Sequence, residues 1–256
     1  MTDAPFLQIR NLSIHFGGVQ ALQNIDMDVQ KGSIHALIGP NGAGKTTLLN
    51  CISRIYDADE GSVVFKGRDI TKIRPYKIVN EGIARTFQNI ELFENVTVMD
   101  NMLLGCHSRR KTGFFRDAFF WGRARAQEHA FRTKVEEIID FLDLPRYRME
   151  RINNVPYGIQ KNVELGRALV MEPTLLLLDE PSSGLNVEET QDLAFWLEDI
   201  RADFGITILL IEHDMRLVMD VCDEITALHY GKRLANGKPE DVVNHPDVVK
   251  AYLGED

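Results

Sequence analysis

Two groups of side chains in this 256-residue sequence have the types and spacing to act on a phosphate ester. The first is Gly39-Pro40-Asn41-Gly42-Ala43-Gly44-Lys45-Thr46, which satisfies G-x-x-x-x-G-K-[ST] at every fixed position. Glycines there let the backbone wrap phosphate oxygens and aim its N–H groups inward, at the start of a helix whose dipole favours negative charge. Lys45 is expected to reach the β- and γ-phosphates and the Thr46 hydroxyl to face Mg²⁺, with Thr47 completing the nucleotide-contacting stretch. Alone, this loop implies nucleotide binding and fits a small-molecule kinase or a GTPase equally well.

The second group is Leu175-Leu176-Leu177-Leu178-Asp179-Glu180, an apolar run ending in two carboxylates. A buried strand would deliver both acids at its carboxyl end, where α/β folds bind their ligands. Asp179 is expected to hold Mg²⁺ through water, and Glu180 to orient and deprotonate an attacking water. Paired acids after a strand also occur as plain solvated turns, and the phosphate loop upstream favours the catalytic reading. Glu180 separates a hydrolase from a switch that only binds.

The elements that must position these groups are legible as patterns. Ile34 to Ile38 reads as a buried strand running into the glycine-rich turn, with a helix beginning over Thr46 to Ile52. Phe6 to Arg10 and Ser62 to Phe65, the latter followed by Lys66-Gly67, read as further strands, so the opening resembles a strand-rich flap feeding a nucleotide-binding core. From Val96 to Val163 the pattern is helical, with Val135, Ile138, Ile139 and Leu142 on one face. The last third alternates strand and helix over Leu175–Leu178, Val187–Phe204, Thr207–Ile211 and Met215–Val221, which implies parallel strands with covering helices and an α/β fold.

Composition narrows the function classes. Lys and Arg number 29 against 38 Asp and Glu, a formal charge of −9, which argues against a general nucleic-acid binder. Cys51, Cys106 and Cys222 are far apart and form no metal-ligand spacing, as expected of reduced cytosolic thiols. The start, Met1-Thr2-Asp3-Ala4-Pro5, lacks the pattern of a signal peptide. The strongest apolar runs are too short to span a bilayer, so a membrane role would require a partner.

Further residues complete a resemblance to the ABC ATPases. Gln88, in Arg85-Thr86-Phe87-Gln88-Asn89, matches the Q-loop glutamine; Ser183-Gly184-Leu185-Asn186, after Pro181-Ser182, looks like the D-loop; His213 matches the switch histidine that contacts the γ-phosphate; Phe16 takes the place of the aromatic that stacks on adenine. Singly, Gln88, His213 and Phe16 would be ordinary loop or core residues. The stretches Gly82 to Ile90, Ile211 to Met219 and Ala251 to Glu255 are most similar to the ATP-binding subunits of branched-chain (hydrophobic) amino acid importers, a resemblance covering nearly the whole chain. Asn186, where many ABC proteins carry Asp, agrees with that branch. The resemblance implies catalytic roles for Glu180, His213, Gln88 and Lys45, and Mg²⁺ coordination by Thr46, Asp179 and Gln88.

The fold implied is a P-loop (RecA-like) ABC ATPase core with an antiparallel β subdomain and a helical subdomain. Residues 1–90 would form the β subdomain and P-loop core, 91–164 the helical insertion, and 165–256 the rest of the core with its tail. The partners implied are a second ATPase subunit (a different chain as the favoured reading, a second copy of this one as the alternative), two transmembrane permease subunits and a periplasmic or extracellular substrate-binding protein, with this chain peripheral on the cytoplasmic face of the inner membrane. The cofactors are ATP and Mg²⁺. Two rivals stay open: a soluble ABC ATPase without transport, and a nucleotide-dependent switch with negligible turnover.

One motif departs from the family. The signature L-S-G-G-Q falls on Val155-Pro156-Tyr157-Gly158-Ile159, followed by Gln160. Family resemblance gives the signature serine a γ-phosphate bound by the opposite subunit, and Pro156 offers neither hydroxyl nor N–H. Tolerated drift is the plain alternative to a heterodimer with unequal sites. Finally, Arg109 to Lys134 holds eight Lys or Arg against two acids, interleaved with Phe114, Phe115, Phe119, Phe120 and Trp121. A helical insertion with its aromatics packed inward is the favoured reading, and contact with the membrane partner the functional alternative. Nucleic-acid binding through phosphate contacts and stacking is a third possibility.

Overall fold

The computed structural model describes residues 4–106 and 121–253, so residues 109–120 of the basic aromatic segment, and Gly254-Glu255 of the tail, lie outside the described residues. The chain divides into two compact units, one running up to Arg85 and resuming at Thr174, the other spanning Thr86–Pro173.

The described strands of the first unit are β1 (Leu7–Phe16), β2 (Val19–Val29), β3 (Ile34–Ile38), β4 (Glu60–Phe65), β5 (Arg68–Asp69), β6 (Ile83–Arg85), β7 (Leu175–Asp179), β8 (Thr207–Ile211), β9 (Glu224–His229) and β10 (Lys232–Gly237). One sheet has the order β2-β1-β4-β5 and is antiparallel throughout. Leu7, Ile9, Val63 and Phe65 are buried on it, as alternation on a half-covered sheet requires.

The other sheet has the order β10-β9-β3-β8-β7-β6; β3 pairs in parallel with both β8 and β9, β7 in parallel with β8 and β6, and β10 closes one edge antiparallel. Every residue of β3, β7 and β8 is buried, which is why these strands read as largely apolar runs, with buried His35 inside β3 and Asp179 and Thr207 at strand ends. Because β3, β7 and β8 run the same way, the residues after Ile38, Asp179 and Ile211 leave the sheet at one edge.

The helices start where their caps dictate. Asn186 accepts from Glu189 N–H at 3.0 Å while the Glu189 carboxylate accepts from Asn186 N–H at 2.9 Å, a reciprocal capping box that opens the Val187–Phe204 helix. Asp214 caps Met215–Val221 by accepting from Arg216 N–H at 2.8 Å. Cys51, Cys106 and Cys222 are buried, and burial pushes the Cys51 and Cys222 thiols up to about 12, as suits inert core residues.

The second unit is helical. Its described α-helices are Val98–Gly105, Trp121–Phe141 and Tyr157–Leu169, and Val135, Ile138, Ile139 and Leu142 are all buried. The first and last approach closely: a methyl group at Gly105 would lie 2.5 Å from the Arg167 carbonyl oxygen, and one at Gly166 would lie 2.4 Å from Met102 Cε. Among the described residues no helix is long and apolar enough to cross a membrane.

Candidate functional site

The glycine-rich turn follows from β3 and the helix Lys45–Ile52 that succeeds it. Gly39, Gly42 and Gly44 take φ values of 147°, 80° and 102°, which side chains rarely adopt. Gly39 also has no room for one: a methyl group there would meet the Leu228 carbonyl oxygen at 2.2 Å. At Gly44 it would meet the Ala21 carbonyl oxygen at 2.7 Å. Lys45, at the helix start, is buried, and its Nζ donates back across the turn to the carbonyls of Gly39 at 2.7 Å and Pro40 at 3.0 Å. Burial lowers the Lys45 ammonium pKa, while Glu180 and Asp179 raise it. A cation folded over its own loop is well placed to exchange two carbonyl partners for phosphate oxygens.

Asp179 closes β7 and is 2% exposed. Arg85 on β6 donates to its Oδ2 at 2.9 Å, and the Thr46 hydroxyl lies 3.5 Å from Oδ1. Burial pushes the Asp179 carboxyl upward, and the Arg85 charge opposes that shift. Arg85 also reaches Asn50 Oδ1 at 2.6 Å and Ser53 Oγ at 2.9 Å, so it ties β6 and β7 to the helix behind the glycine turn. Among the described residues no three His, Cys, Asp or Glu gather into a metal cage. One carboxylate with a hydroxyl, completed by phosphate oxygens and water, is instead the hard-oxygen set that Mg²⁺ accepts in nucleotide sites.

Glu180 follows with φ of 51°, a left-handed conformation that a non-glycine residue adopts only under constraint. Its N–H donates to the Ile211 carbonyl at 3.0 Å, and its carboxylate Oε1 lies 3.0 Å from Nε2 of His213. The acid after β7 and the histidine after β8 thus form a pair at the shared sheet edge. Ser183 N–H closes the turn onto the Glu180 carbonyl at 3.2 Å, and Leu185 N–H donates to the Ser182 carbonyl at 3.0 Å. Gly184 has φ of 82°, and Asn186 ends the segment as the helix cap described above.

The first unit therefore brings together Gly39 to Thr47, Asp179, Glu180 and His213. Phe16 stands at the end of β1, 44% exposed, with its ring edge-on to Tyr56 at 5.0 Å. Gln88 and the signature residues belong to the second unit. Gln88 is exposed just past β6. Pro156 is the N-cap of Tyr157–Leu169 and no side chain caps that helix. The Gln160 side chain turns back to donate to the Val155 carbonyl at 3.0 Å, while Tyr157 is exposed with Lys161 Nζ 5.9 Å from its ring centre. Gly158 is buried and Ile159 half-buried on that first turn.

Three residues of the first unit do not stand out as site residues in the sequence. Arg85 and Tyr252 lie inside stretches notable only as patterns, and Glu212 sits beside His213. Glu212 is 1% exposed and accepts from Ser182 N–H at 2.8 Å, Ser182 Oγ–H at 2.9 Å and His213 N–H at 2.9 Å. The detectable signal is an acid directly after the apolar run Ile208 to Ile211, the same pattern as Asp179 after Leu175 to Leu178. The Tyr252 hydroxyl accepts from Gly39 N–H at 2.8 Å.

A phosphate-type loop on a parallel sheet, a carboxylate two strands away and a Glu–His pair at the same edge define a nucleotide-binding cassette. A family described as ABC transporter matches residues 22–183. A second, described as branched-chain amino acid ATP-binding cassette transporter, matches residues 232–256. The chain belongs to the ABC transporter family, as an ATP-binding cassette. It is similar to the high-affinity branched-chain amino acid transport ATP-binding proteins BraF of Pseudomonas aeruginosa, at 36% identity, and LivG of Salmonella typhimurium, at 38%, over 98% of both chains in each case. It also resembles a solved nucleotide-free cassette from an ABC transporter, with 31% identity and a TM-score of 0.86 over 98% of this chain and 100% of that one. A solved ADP conformation of an ATP-binding cassette of an ABC transporter gives 32% and 0.85 over the same shares.

Proposed function

We propose that this chain is the ATP-hydrolysing motor subunit of a multi-subunit importer for branched-chain or other hydrophobic amino acids. The observation that carries the ATPase reading is the Glu180–His213 pair at the sheet edge shared with the glycine turn and Asp179. Gly39 to Thr47 would cradle the phosphates through backbone N–H groups, with Lys45 turning from its loop carbonyls to the β- and γ-phosphates. Phe16 would stack on the adenine. Mg²⁺, held by Thr46 and Asp179 with Gln88 as a third contributor, would neutralise charge developing on the phosphates.

Glu180 would accept the proton of the attacking water. His213, 3.0 Å away, would fix the carboxylate's direction and reach the γ-phosphate. Arg85 acts at one remove, by orienting Asp179.

The partners would be a second ATPase subunit, two transmembrane permease subunits and a periplasmic or extracellular substrate-binding protein, with this chain on the cytoplasmic face of the inner membrane. Ser183 to Asn186 and the signature residues Pro156 to Gln160 would face the second subunit. The amino acid cargo rests on the names of the relatives and on the match over residues 232–256. The reading is tested by ATP hydrolysis of the purified chain, alone and then with the ATPase and permease subunits encoded beside it. Weak activity alone that rises strongly on assembly supports it; strong activity indifferent to partners overturns it.

Pro156 makes a heterodimer with unequal sites the favoured assembly. The uncapped helix at Tyr157 still offers its first N–H groups to a phosphate, but the hydroxyl is missing. A charge-assisted donor corresponds to roughly tenfold to a hundredfold in rate. Pro156→Ser is therefore expected to raise turnover at the site this signature completes by about tenfold or more, read in the assembled complex at saturating ATP. Unchanged turnover in that variant would exclude the unequal-site arrangement.

A further inference from the structure

The last described helix, Pro246–Leu253, ends against the phosphate loop, and the reading above gives its Tyr252 no role. The peptide groups of Gly39 are held on both sides. Its N–H donates to the Tyr252 hydroxyl at 2.8 Å, and its carbonyl accepts from Lys45 Nζ at 2.7 Å. Its Cα lies so close to the Leu228 carbonyl oxygen that a methyl group would reach 2.2 Å from it. The tyrosine is itself seated: with Ile38, Met215, Val248 and Val249 it lines an apolar cleft. Ile38 is the residue before the loop, and Met215 opens the helix that follows His213.

We propose that Tyr252 is a positioning residue of the nucleotide site, its hydroxyl anchoring the first peptide of the phosphate loop. The proposal rests on the nucleotide-binding reading. When Lys45 leaves the Gly39 carbonyl for phosphate oxygens, one of the two polar ties on that residue is lost, and the Tyr252 hydroxyl keeps the other. The loop binds through an array of N–H groups whose directions must be set before the ligand arrives, because an array that orders only on binding binds more weakly. A hydroxyl suits this position because it accepts from an amide without bringing a negative charge beside a phosphate site. Burial raises the Tyr252 phenol pKa further, so it stays protonated through the working range.

The test is Tyr252→Phe in the full chain, which keeps the ring in its cleft and removes only the oxygen. The dissociation constant of a fluorescent ATP analogue, the KM for ATP, kcat and the thermal midpoint are measured beside the parent chain. The expected result is a dissociation constant and KM raised about threefold to tenfold, the range one neutral hydrogen bond corresponds to, with kcat changed less than about twofold. The thermal midpoint should fall by only about 2–4 °C, the cost of one lost hydrogen bond, and Tyr252→Ala, which also empties the cleft, should lower it further as well as weaken binding. Unchanged nucleotide affinity in Tyr252→Phe overturns the proposal, including the case in which Tyr252→Ala melts early while Tyr252→Phe binds normally. A parent chain that binds no nucleotide would instead overturn the nucleotide reading itself.

Discussion

Glu180→Gln is expected to lower ATP turnover by at least about a hundredfold while leaving nucleotide affinity within about twofold, since a positioned general base contributes on the order of 10²–10⁴ in rate. The substitution isolates proton transfer because little else at the site depends on the charge. The Glu180 N–H bond to the Ile211 carbonyl and the turn closed by Ser183 are backbone contacts that a glutamine keeps. The left-handed φ of 51° is no worse for Gln than for Glu. His213 Nε2, 3.0 Å from the carboxylate, can still find an amide oxygen in the same place. Lys45 loses one of the two carboxylates that offset the lowering of its pKa by burial, while Asp179 stays. The measurements are steady-state phosphate release and retention of radiolabelled ATP on the assembled complex. Retained ATP with no phosphate identifies a hydrolase arrested before chemistry. Phosphate release at the parent rate would mean that Glu180 is not the base, whereas negligible release from parent and variant alike would revive the reading of a chain that only switches with nucleotide.

How far the sequence discloses this site depends on whether a residue's role is written in its own neighbourhood. The glycine turn is legible because its demands are local: φ above zero at Gly39, Gly42 and Gly44, and a strand that must be apolar up to its last residue. β7 and β8 are legible because both are buried on both faces. The helix Val187–Phe204 is readable at its observed bounds because a capping residue and a C-terminal glycine mark it. β2 escapes such reading: positive φ at Asn24 accompanies a break in the ladder with β1, so the apolar period of two fails mid-strand. β6 is three residues long and β10 is an edge strand with no fully apolar face, so neither carries a periodic signal. Arg85 and Tyr252 are opaque because their partners, Asp179 and Gly39, are 94 and 213 positions away. Long-range hydrogen bonds leave no trace in local spacing.

Glu212 shows the same limit and carries the second large effect. Its buried carboxylate accepts from Ser182 N–H and Oγ–H, from His213 N–H at 2.9 Å, and from Asp214 N–H at 3.3 Å. It thereby joins the turn after Glu180 to the turn that carries His213, and the Glu–His pair spans the same two turns. Glu212→Ala leaves those donors without an acceptor in a buried place, each at about 1–3 kcal/mol. Partial relaxation toward water makes about 3–5 kcal/mol a realistic sum, comparable to breaking a buried charged network. For a chain of this length that lowers the thermal midpoint by roughly 6–15 °C. Glu212→Gln separates function from stability. It keeps one acceptor oxygen and the side-chain volume but turns an amide NH₂ toward donors: with its oxygen in the Oε2 place Ser182 N–H loses its acceptor, and with its oxygen in the Oε1 place the Ser182 hydroxyl and the His213 and Asp214 N–H groups lose theirs. Turnover is expected to fall about tenfold with ATP affinity retained, because the glycine turn and Lys45 do not hydrogen-bond to Glu212, whereas the direction of His213 does depend on it. Calorimetry on Glu212→Ala and phosphate release with nucleotide titration on Glu212→Gln are the measurements. Full turnover in Glu212→Gln would show that the Glu180–His213 geometry survives without this tether, and that the strain at Glu180 is held by the backbone bond to Ile211 instead.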